Sequence, residues 1–391
     1  MTYFFILGSN PTLSLAELSA VLPCQDGRLV NKDLFIWETE NEIVPENLIK
    51  NLGGTIKIGV FEKMVVAKQD LNEPILAICS KAAKKSSGKL NFGLSDYGDS
   101  ALKLLPIGLT IKKKLSEAGV NSRLVTSREK NLSSVVVEQN KLLKKGVEIV
   151  LASDGGRTFI GRTLAVQAFK DLSKRDYGRP ARDDASGMLP PKLAQIMINL
   201  AEIKDYNSLI LDPFCGSGTV AQEALLMGFN NIAATDLSPK AIDDTKENIA
   251  WLKEKFALSG IKTNIFLKNA TKLSESFKPE SVAAIICEPY LGPQRGWHDL
   301  KIVKDELEEL YTKSFKEFAK ILKPHGRVVM IFPMFFGNKP INPDYYQFEI
   351  KNSLPDELKN NPLIKLTQRN TIVYGRAGQK VFREIVVLEK K

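Results

Sequence analysis

Little in this sequence invites covalent or metal cross-linking. Its four cysteines (Cys24, Cys79, Cys215 and Cys287) lie far apart without a C-x-x-C pair, and there are only two histidines, His298 and His325. Neither a disulfide framework nor a zinc or other metal site is indicated. No apolar run approaches the roughly 18–20 residues of a membrane span. The opening Tyr3-Phe4-Phe5-Ile6-Leu7 is too short for the apolar core of a secretory leader and has no basic residue before it. It runs directly into turn chemistry at Gly8-Ser9-Asn10-Pro11. Secreted, membrane and zinc-finger classes fall away, and a reduced cytoplasmic protein without a membrane partner is expected.

What is present is a chain of 391 residues, 43% hydrophobic and 26% charged, which is ordinary for folded domains and long enough for two or three cores. The formal net charge of +10 is unevenly spread. Residues 76–170 hold 17 Lys/Arg against 7 Asp/Glu, which accounts for the whole excess and leaves the rest of the chain neutral. The block includes Lys81, Lys84, Lys85, Lys89, the run Lys112-Lys113-Lys114, Arg123, Arg128, Lys130, Lys141, Lys144 and Lys145. A concentrated positive field attracts polyanions, because each phosphate that a cation neutralises releases condensed counterions. A solvated lysine-rich face is the plain alternative for any one cluster; the block taken together favours nucleic acid.

Short alternating runs predict strands at 3–7, 33–38, 55–61, 89–94, 122–126, 147–152 and 157–165. Helices are expected near 11–22, 45–52, 73–85, 105–119 and 132–144. This is a small α/β region with a junction near Gly53-Gly54 or Lys63. Residues 169–189 are polar, punctuated by glycine and proline, and read as a linker. Beyond them the alternation is long and regular, with helix 190–204, strand 207–211, helix 217–228, strand 231–235 and helix 238–257. Strands 263–268 and 282–287, helix 300–322 and strand 326–332 follow. Such alternation predicts an open, mostly parallel sheet covered on both faces. Two late strands, 370–374 and 381–388, joined by Gly375-Arg376-Ala377-Gly378, predict a terminal antiparallel hairpin at the edge.

The strongest chemical signal is Asp212-Pro213-Phe214-Cys215-Gly216-Ser217-Gly218-Thr219, which follows the apolar run SLIL and opens a helix. Glycines at a strand-to-helix turn let a ligand approach the backbone. Asp236 ends the next strand at about the offset where a carboxylate grips ribose hydroxyls. Gly216-Ser217-Gly218-Thr219-Val220-Ala221 also satisfies the G-x-G-x-x-A dinucleotide pattern of hydride-transferring enzymes. Against that reading, Asp212 puts negative charge where a pyrophosphate needs positive potential, and suits a cation such as an amino group instead. A second signal, Cys287-Glu288-Pro289-Tyr290-Leu291-Gly292, follows the strand AAII.

DPFCGSGT resembles the S-adenosylmethionine-binding motif of class I amino-methyltransferases. The resemblance implies that Asp212, Phe214, Gly216, Gly218 and Thr219 hold the methionine part, that Asp236 with Leu237 meets the ribose, and that Asn269 with Ala270 meets the adenine. Asn269 stands where the family commonly has Asp. The Glu288-Pro289-Tyr290 turn resembles the D/N-P-P-Y motif of enzymes that methylate exocyclic amines of bases. The lone pair of such an amine is delocalised into the ring, so acceptors on its N–H groups must align it with the methyl donor. Glu288 replaces Asp or Asn and one proline is missing. An ungapped match puts Tyr290 at the second proline; a one-residue gap restores it as the ring that stacks on an extruded base. The preferred reading gives Glu288 and the Pro289 carbonyl the acceptor roles and Tyr290 the base contact.

GMLPPKLAQIMINLA (187–201), YGRAGQKVFREIVVL (374–388) and YFFILGSNPTLSLAEL near the start are similar to segments of THUMP-domain class I tRNA guanosine N2-methyltransferases of the archaeal and bacterial type. That family implies an N-terminal ferredoxin-like subdomain (1–60), a basic THUMP-like RNA-binding domain (61–168), the linker (169–189) and a Rossmann-like methyltransferase domain (190–391). It implies S-adenosylmethionine as cofactor, tRNA as partner and guanine N2 as target, and leaves room for a small activating subunit. A DNA amino-methyltransferase and a non-catalytic RNA-binding protein with a decayed site stay open. Trp297 is a candidate pocket residue, His325 reads as a turn residue, and Cys215 and Cys287, with no base to activate them, read as packing residues. Reversing the charge of Lys112, Lys113 and Lys114 is expected to weaken RNA binding and flatten its salt dependence. Filter-binding titrations across salt concentrations measure this, the log–log slope falling by roughly one for each phosphate that is no longer neutralised.

Overall fold

The apolar alternation sorts into two separate β-sheets. In the computed structural model, which describes residues 1–66, 70–86, 88–98, 102–182, 188–293, 299–336, 339–375 and 378–391, each sheet is the core of one unit. The first unit comprises Met1–Pro11, Cys24–Asn51 and Thr55–Phe169; the second comprises Thr12–Pro23, Leu52–Gly54 and Lys170–Lys391.

Eight strands form the first sheet: β1 (Thr2–Leu7), β2 (Arg28–Asn31), β3 (Leu34–Glu38), β4 (Thr55–Val66), β5 (Leu90–Asp96), β6 (Ser122–Val125), β7 (Gly146–Asp154) and β8 (Arg157–Val166). Their order is β2-β3-β1-β4-β8-β7-β5-β6. The division expected at residue 60 falls inside β4, which pairs with β1 on one side and β8 on the other, so one sheet runs through both expected subdomains. The helix expected over 132–144 is only Ser134–Gln139. Ser133 caps it, accepting from the Val136 N–H at 3.3 Å, and a run of three β-branched valines gives it little propensity to extend.

A charge pair is sealed inside this sheet. Lys57 Nζ on β4 donates to Glu148 Oε1 on β7 and to the Leu132 carbonyl, each at 2.5 Å, with the two side chains 1% and 0% exposed. Ser95 Oγ on β5 and Thr163 Oγ1 on β8 donate to the two Glu148 oxygens, each at 2.6 Å. Four strands are thereby joined through one carboxylate that accepts three hydrogen bonds.

The second sheet contains β9 (Ile210–Asp212), β10 (Asn231–Asp236), β11 (Lys262–Leu267), β12 (Val282–Cys287), β13 (Leu322–Phe335), β14 (Lys339–Pro340), β15 (Phe348–Ile350), β16 (Ile372–Tyr374) and β17 (Val381–Lys390). Their order is β11-β10-β9-β12-β13-β17-β15, with β14 on β13 and β16 on β17. The strands from β11 to β13 pair in parallel, as the alternating pattern predicts. The terminal hairpin is present, but β17 is not the edge: it pairs antiparallel with β13 from Arg327↔Glu389 to Phe335↔Val381, and β15 takes the outer position. A strand with the buried run Glu384–Leu388 needs neighbours on both sides. Beneath the sheet, helix Leu300–Ile321 contributes Leu307, Tyr311, Phe315 and Phe318 to a core with Phe332 and Phe335.

The expected linker is a built element rather than a tether. Its first part is the helix Phe169–Tyr177, and two of its cations, Arg175 and Arg179, are buried partners, while Lys170 and Lys174 stay exposed. Arg175 forks onto Glu223 at 2.7 and 3.1 Å, and Arg179 Nη1 donates to Thr219 Oγ1 at 2.7 Å. Ala181 exchanges backbone hydrogen bonds with the Asn248 amide at 3.0 and 2.8 Å. Composition alone cannot separate a buried bidentate arginine from an exposed one.

Helix Pro11–Val21 belongs to the second unit from Thr12 onward. There Glu17 accepts hydrogen bonds from the Gly53 and Gly54 N–H groups and from Asn199 Nδ2, all at 2.8 Å. Glycine is required at 53, where a Cβ would meet the Lys192 carbonyl oxygen at 2.0 Å. Among the described residues, no helix is long and apolar enough to cross a membrane.

Lys57→Met strands the Glu148 carboxylate without its cation and is expected to destabilise the fold by about 3–5 kcal/mol. Urea unfolding should give Lys57→Met/Glu148→Leu a smaller loss than the single variant, because removing both charges also removes the penalty for burying them.

Candidate active site

The sheet order explains why residues far apart in sequence meet. In β10-β9-β12, three parallel neighbours end at Asp236, Asp212 and Cys287, so Asp212, Asp236 and Glu288 stand in a row at the carboxyl edge. This is the edge where open α/β sheets bind ligands. All three carboxylates line one cleft of about 1380 Å³, together with Phe214, Gly216, Thr219, Leu237, Asn269, Ala270, Pro289 and Tyr290.

Asp212 is 2% exposed, and its Oδ1 accepts the Phe214 N–H at 3.1 Å. Burial, reinforced by the negative charges of Asp236 and Glu288, holds its carboxyl well above the usual range, and the Phe214 hydrogen bond opposes this. A cation entering the cleft would relieve that penalty. The loop that follows turns at Gly216, with φ 51°, where a Cβ would meet nothing within 4 Å. Its N–H donates to Asp236 Oδ2 at 3.0 Å, while Asp236 Oδ1 accepts from Ser238 N–H at 2.9 Å. Two backbone donors therefore aim the Asp236 carboxylate, which keeps further lone pairs for ligand hydroxyls.

Gly218 is the one expected cofactor residue that does not line the cleft. It has φ 81°, caps helix Thr219–Leu226, and its Cβ position lies 2.8 Å from the Thr245 side chain. Its place is close packing of the loop on the next helix. That packing is fastened from helix Pro239–Lys255: Thr245 Oγ1 donates to the Gly216 carbonyl and Asn248 Nδ2 to the Ser217 carbonyl, each at 2.8 Å. Neither residue is legible in sequence, since a Thr and an Asn on an amphipathic helix carry no motif.

Asn269 Oδ1 accepts from the Thr271 N–H and hydroxyl, each at 2.9 Å, capping the short helix Ala270–Glu275 at the cleft wall. Leu237 is exposed beside it. Glu288 receives Arg383 Nε on Oε1 at 2.5 Å and Nη2 on Oε2 at 3.4 Å. Burial raises the Glu288 carboxyl, and the Arg383 charge and hydrogen bonds pull it back. Tyr290 is 59% exposed, and the buried Tyr311 hydroxyl donates to its carbonyl at 2.7 Å, bracing the turn. Sequence reasoning misses both Arg383 and Tyr311. Arg383 has one available signal, a charged Arg383-Glu384 pair inside the otherwise apolar strand run VFREIVVL. Cys215 and Cys287 are buried, and burial pushes both thiols up. Trp297 lies outside the described residues.

These features suit S-adenosylmethionine. A buried carboxylate faces the cleft, the open space at Gly216 gives close backbone access, and a second carboxylate is oriented by two amides.

Comparison with known proteins agrees with the geometry. The family described as "RMKL-like, methyltransferase domain" matches residues 179–335, a stretch holding β9 through β13 and all three carboxylates; one described as "DNA methylase" matches residues 70–247. The chain is 23% identical over 355 residues to the tRNA (guanine(10)-N2)-dimethyltransferase of Pyrococcus abyssi, covering 86% of this chain and 89% of that protein. To the tRNA (guanine(6)-N2)-methyltransferase of Thermus thermophilus it is 33% identical over 191 residues, covering 49% and 51%. A crystal structure of TrmN from Thermus thermophilus shares the fold over 100% of both chains, with a TM-score of 0.53 at 20% identity. The second unit has the Rossmann-like class I fold, and residues 179–335 within it match the RMKL-like methyltransferase domain, so the activity this chain carries is that of a methyltransferase.

Proposed function

We propose that this enzyme methylates the exocyclic N2 amine of a guanine in tRNA. The observation that carries the reading is the meeting of the Asp212 and Asp236 carboxylates with the Glu288-Pro289-Tyr290 turn in one cleft. The names of the Pyrococcus abyssi and Thermus thermophilus relatives support the choice of substrate and atom.

When bound, S-adenosylmethionine supplies a methyl group on a positively charged sulfur that takes back the bonding pair. Asp212 and the Gly216 loop would hold its methionine end, Asp236 and Leu237 its ribose, and Asn269 and Ala270 its adenine. The exposed Tyr290 ring offers a stacking face to a base taken out of its helix. The Glu288 carboxylate and the Pro289 carbonyl accept the amine N–H groups and turn the nitrogen lone pair toward the methyl. As the C–N bond forms, the nitrogen gains positive charge that Glu288 stabilises, and its surplus proton leaves along that hydrogen bond.

The first unit, with its THUMP-like position and basic block, would grip tRNA by phosphate and shape. Lys112 and Lys113 are exposed on helix Leu104–Glu117, whereas Lys114 is paired with Glu73 at 2.5 Å and offers less to a phosphate. A DNA substrate is the second reading, favoured by the DNA methylase match. That match ends at 247, before the acceptor turn, and so does not bear on the base. Competition between tRNA and duplex DNA for labelled methyl transfer separates the two, with tRNA expected to win.

Glu288→Ala is expected to lower methyl transfer to tRNA by about 100-fold or more while S-adenosylmethionine affinity by calorimetry stays within roughly twofold. Asp236→Ala should instead weaken S-adenosylmethionine binding by about 10–100-fold, the usual effect of losing hydrogen bonds to a charged acceptor. Full activity of the first variant, or unchanged affinity of the second, would remove that residue from its role.

A further inference from the structure

Arg383 lies 95 residues beyond the carboxylate it touches, on β17, which is separated from β12 by β13. Its neighbour Glu384 is fully buried and pairs with Arg369, so these two adjacent charges of the strand serve opposite faces of the sheet. On the cleft side the Arg383 and Glu288 side chains are 19% and 12% exposed, and both line the cleft. A fork-to-carboxylate contact at this depth is worth more than a surface pair, and it fixes direction as well as charge.

The turn gives Arg383 a task. Glutamate has one more methylene, and one more torsion, than the Asp or Asn of the motif that the turn resembles. Its carboxylate could swing through several rotamers and miss the amine. Arg383 Nε on Oε1 and Nη2 on Oε2 leave it one orientation, with lone pairs remaining for an incoming N–H. Burial raises the Glu288 carboxyl, Arg383 lowers it, and Asp212 lies near enough to feel its charge. Cys287 and Tyr311, packed beside it, are kept neutral by burial. Among the described charged groups facing Glu288, Arg383 is the cation that favours its ionised form.

We propose that Arg383 is a positioning residue for methyl transfer: it clamps Glu288 so that the irregular Glu-Pro-Tyr turn presents an oriented, ionised acceptor to the target amine. This rests on Glu288 being that acceptor.

The test measures labelled methyl transfer to undermodified total tRNA between about pH 5.5 and 9, with S-adenosylmethionine affinity taken by calorimetry. Arg383→Gln is expected to lose about 100-fold in kcat near pH 7, with KM for tRNA within roughly threefold, and to recover activity as pH rises. The sign follows from the chemistry. Without the guanidinium, Glu288 stays protonated to higher pH, so the rising limb moves up. In Arg383→Gln/Glu288→Gln the neutral amide still accepts through its carbonyl and cannot titrate, so that limb should vanish. Arg383→Lys keeps the charge but not the fork, and should lose about tenfold in kcat without moving the limb.

A wild-type kcat and profile in Arg383→Gln, or the same profile in the single and double variants, overturns the proposal. If Arg383→Gln fails to bind S-adenosylmethionine because it misfolds, Arg383→Lys decides, and wild-type kcat there overturns it. If the wild-type enzyme transfers no methyl to tRNA, or Glu288→Ala remains fully active, the underlying reading fails and takes this proposal with it.

Discussion

Like charges repel, yet the carboxylates of Asp212, Asp236 and Glu288 share one cleft because their strands are neighbours in a parallel sheet. The backbone ladder β10-β9-β12 does the holding, and the pairing Ala284↔Ile210↔Ile232 sets the register in which the three ends align. Burial first, and the neighbouring carboxylates after it, raise the Asp212 carboxyl and create a demand for positive charge. In the proposed function, a sulfonium donor with an amino group would answer that demand at one end. Arg383 meets it at the other, hydrogen-bonded to the Glu288 carboxylate and offsetting the effect of its burial. Loop, turn and terminal strand are all arranged around that imbalance.

The part of this architecture that is readable in advance is the part governed by local rules. Strand-to-helix alternation after residue 190, the glycine turn at 216–218 and the acid ending the following strand depend on short-range chemistry, and the structure places each where periodicity puts it. What is not readable depends on tertiary partners. Arg175 and Arg179 look like linker cations until Glu223 and Thr219 are found opposite them. Thr245 and Asn248 become loop fasteners only when helix Pro239–Lys255 is laid against the glycine turn. β17 moves from edge to interior because the short β15, which carries no clear alternation, closes the sheet beyond it. Gly218, which the motif assigns to the cofactor, packs against Thr245 instead of facing the cleft.

The basic block of the first unit shows the same distinction among charges of one sign. Counted in sequence, its lysines are equivalent; in the fold they are not. Lys112 and Lys113 face solvent, and Lys114 is engaged with Glu73. Lys57, just outside the block, is wholly buried against Glu148 and contributes to the integrity of the sheet instead of its outward field. Net charge sets the class of partner, while the pairing of each cation decides which of them a partner can feel.

The early chain has a consequence for how this protein can be taken apart. Thr12–Pro23 and Leu52–Gly54 are integral to the methyltransferase unit, with Glu17 hydrogen-bonded to Gly53, Gly54 and Asn199. A gene fragment opened at residue 170 would therefore encode an incomplete enzyme half, missing a helix and leaving Asn199 without the Glu17 carboxylate it donates to. A fragment closed there would carry that helix with nowhere to bury it.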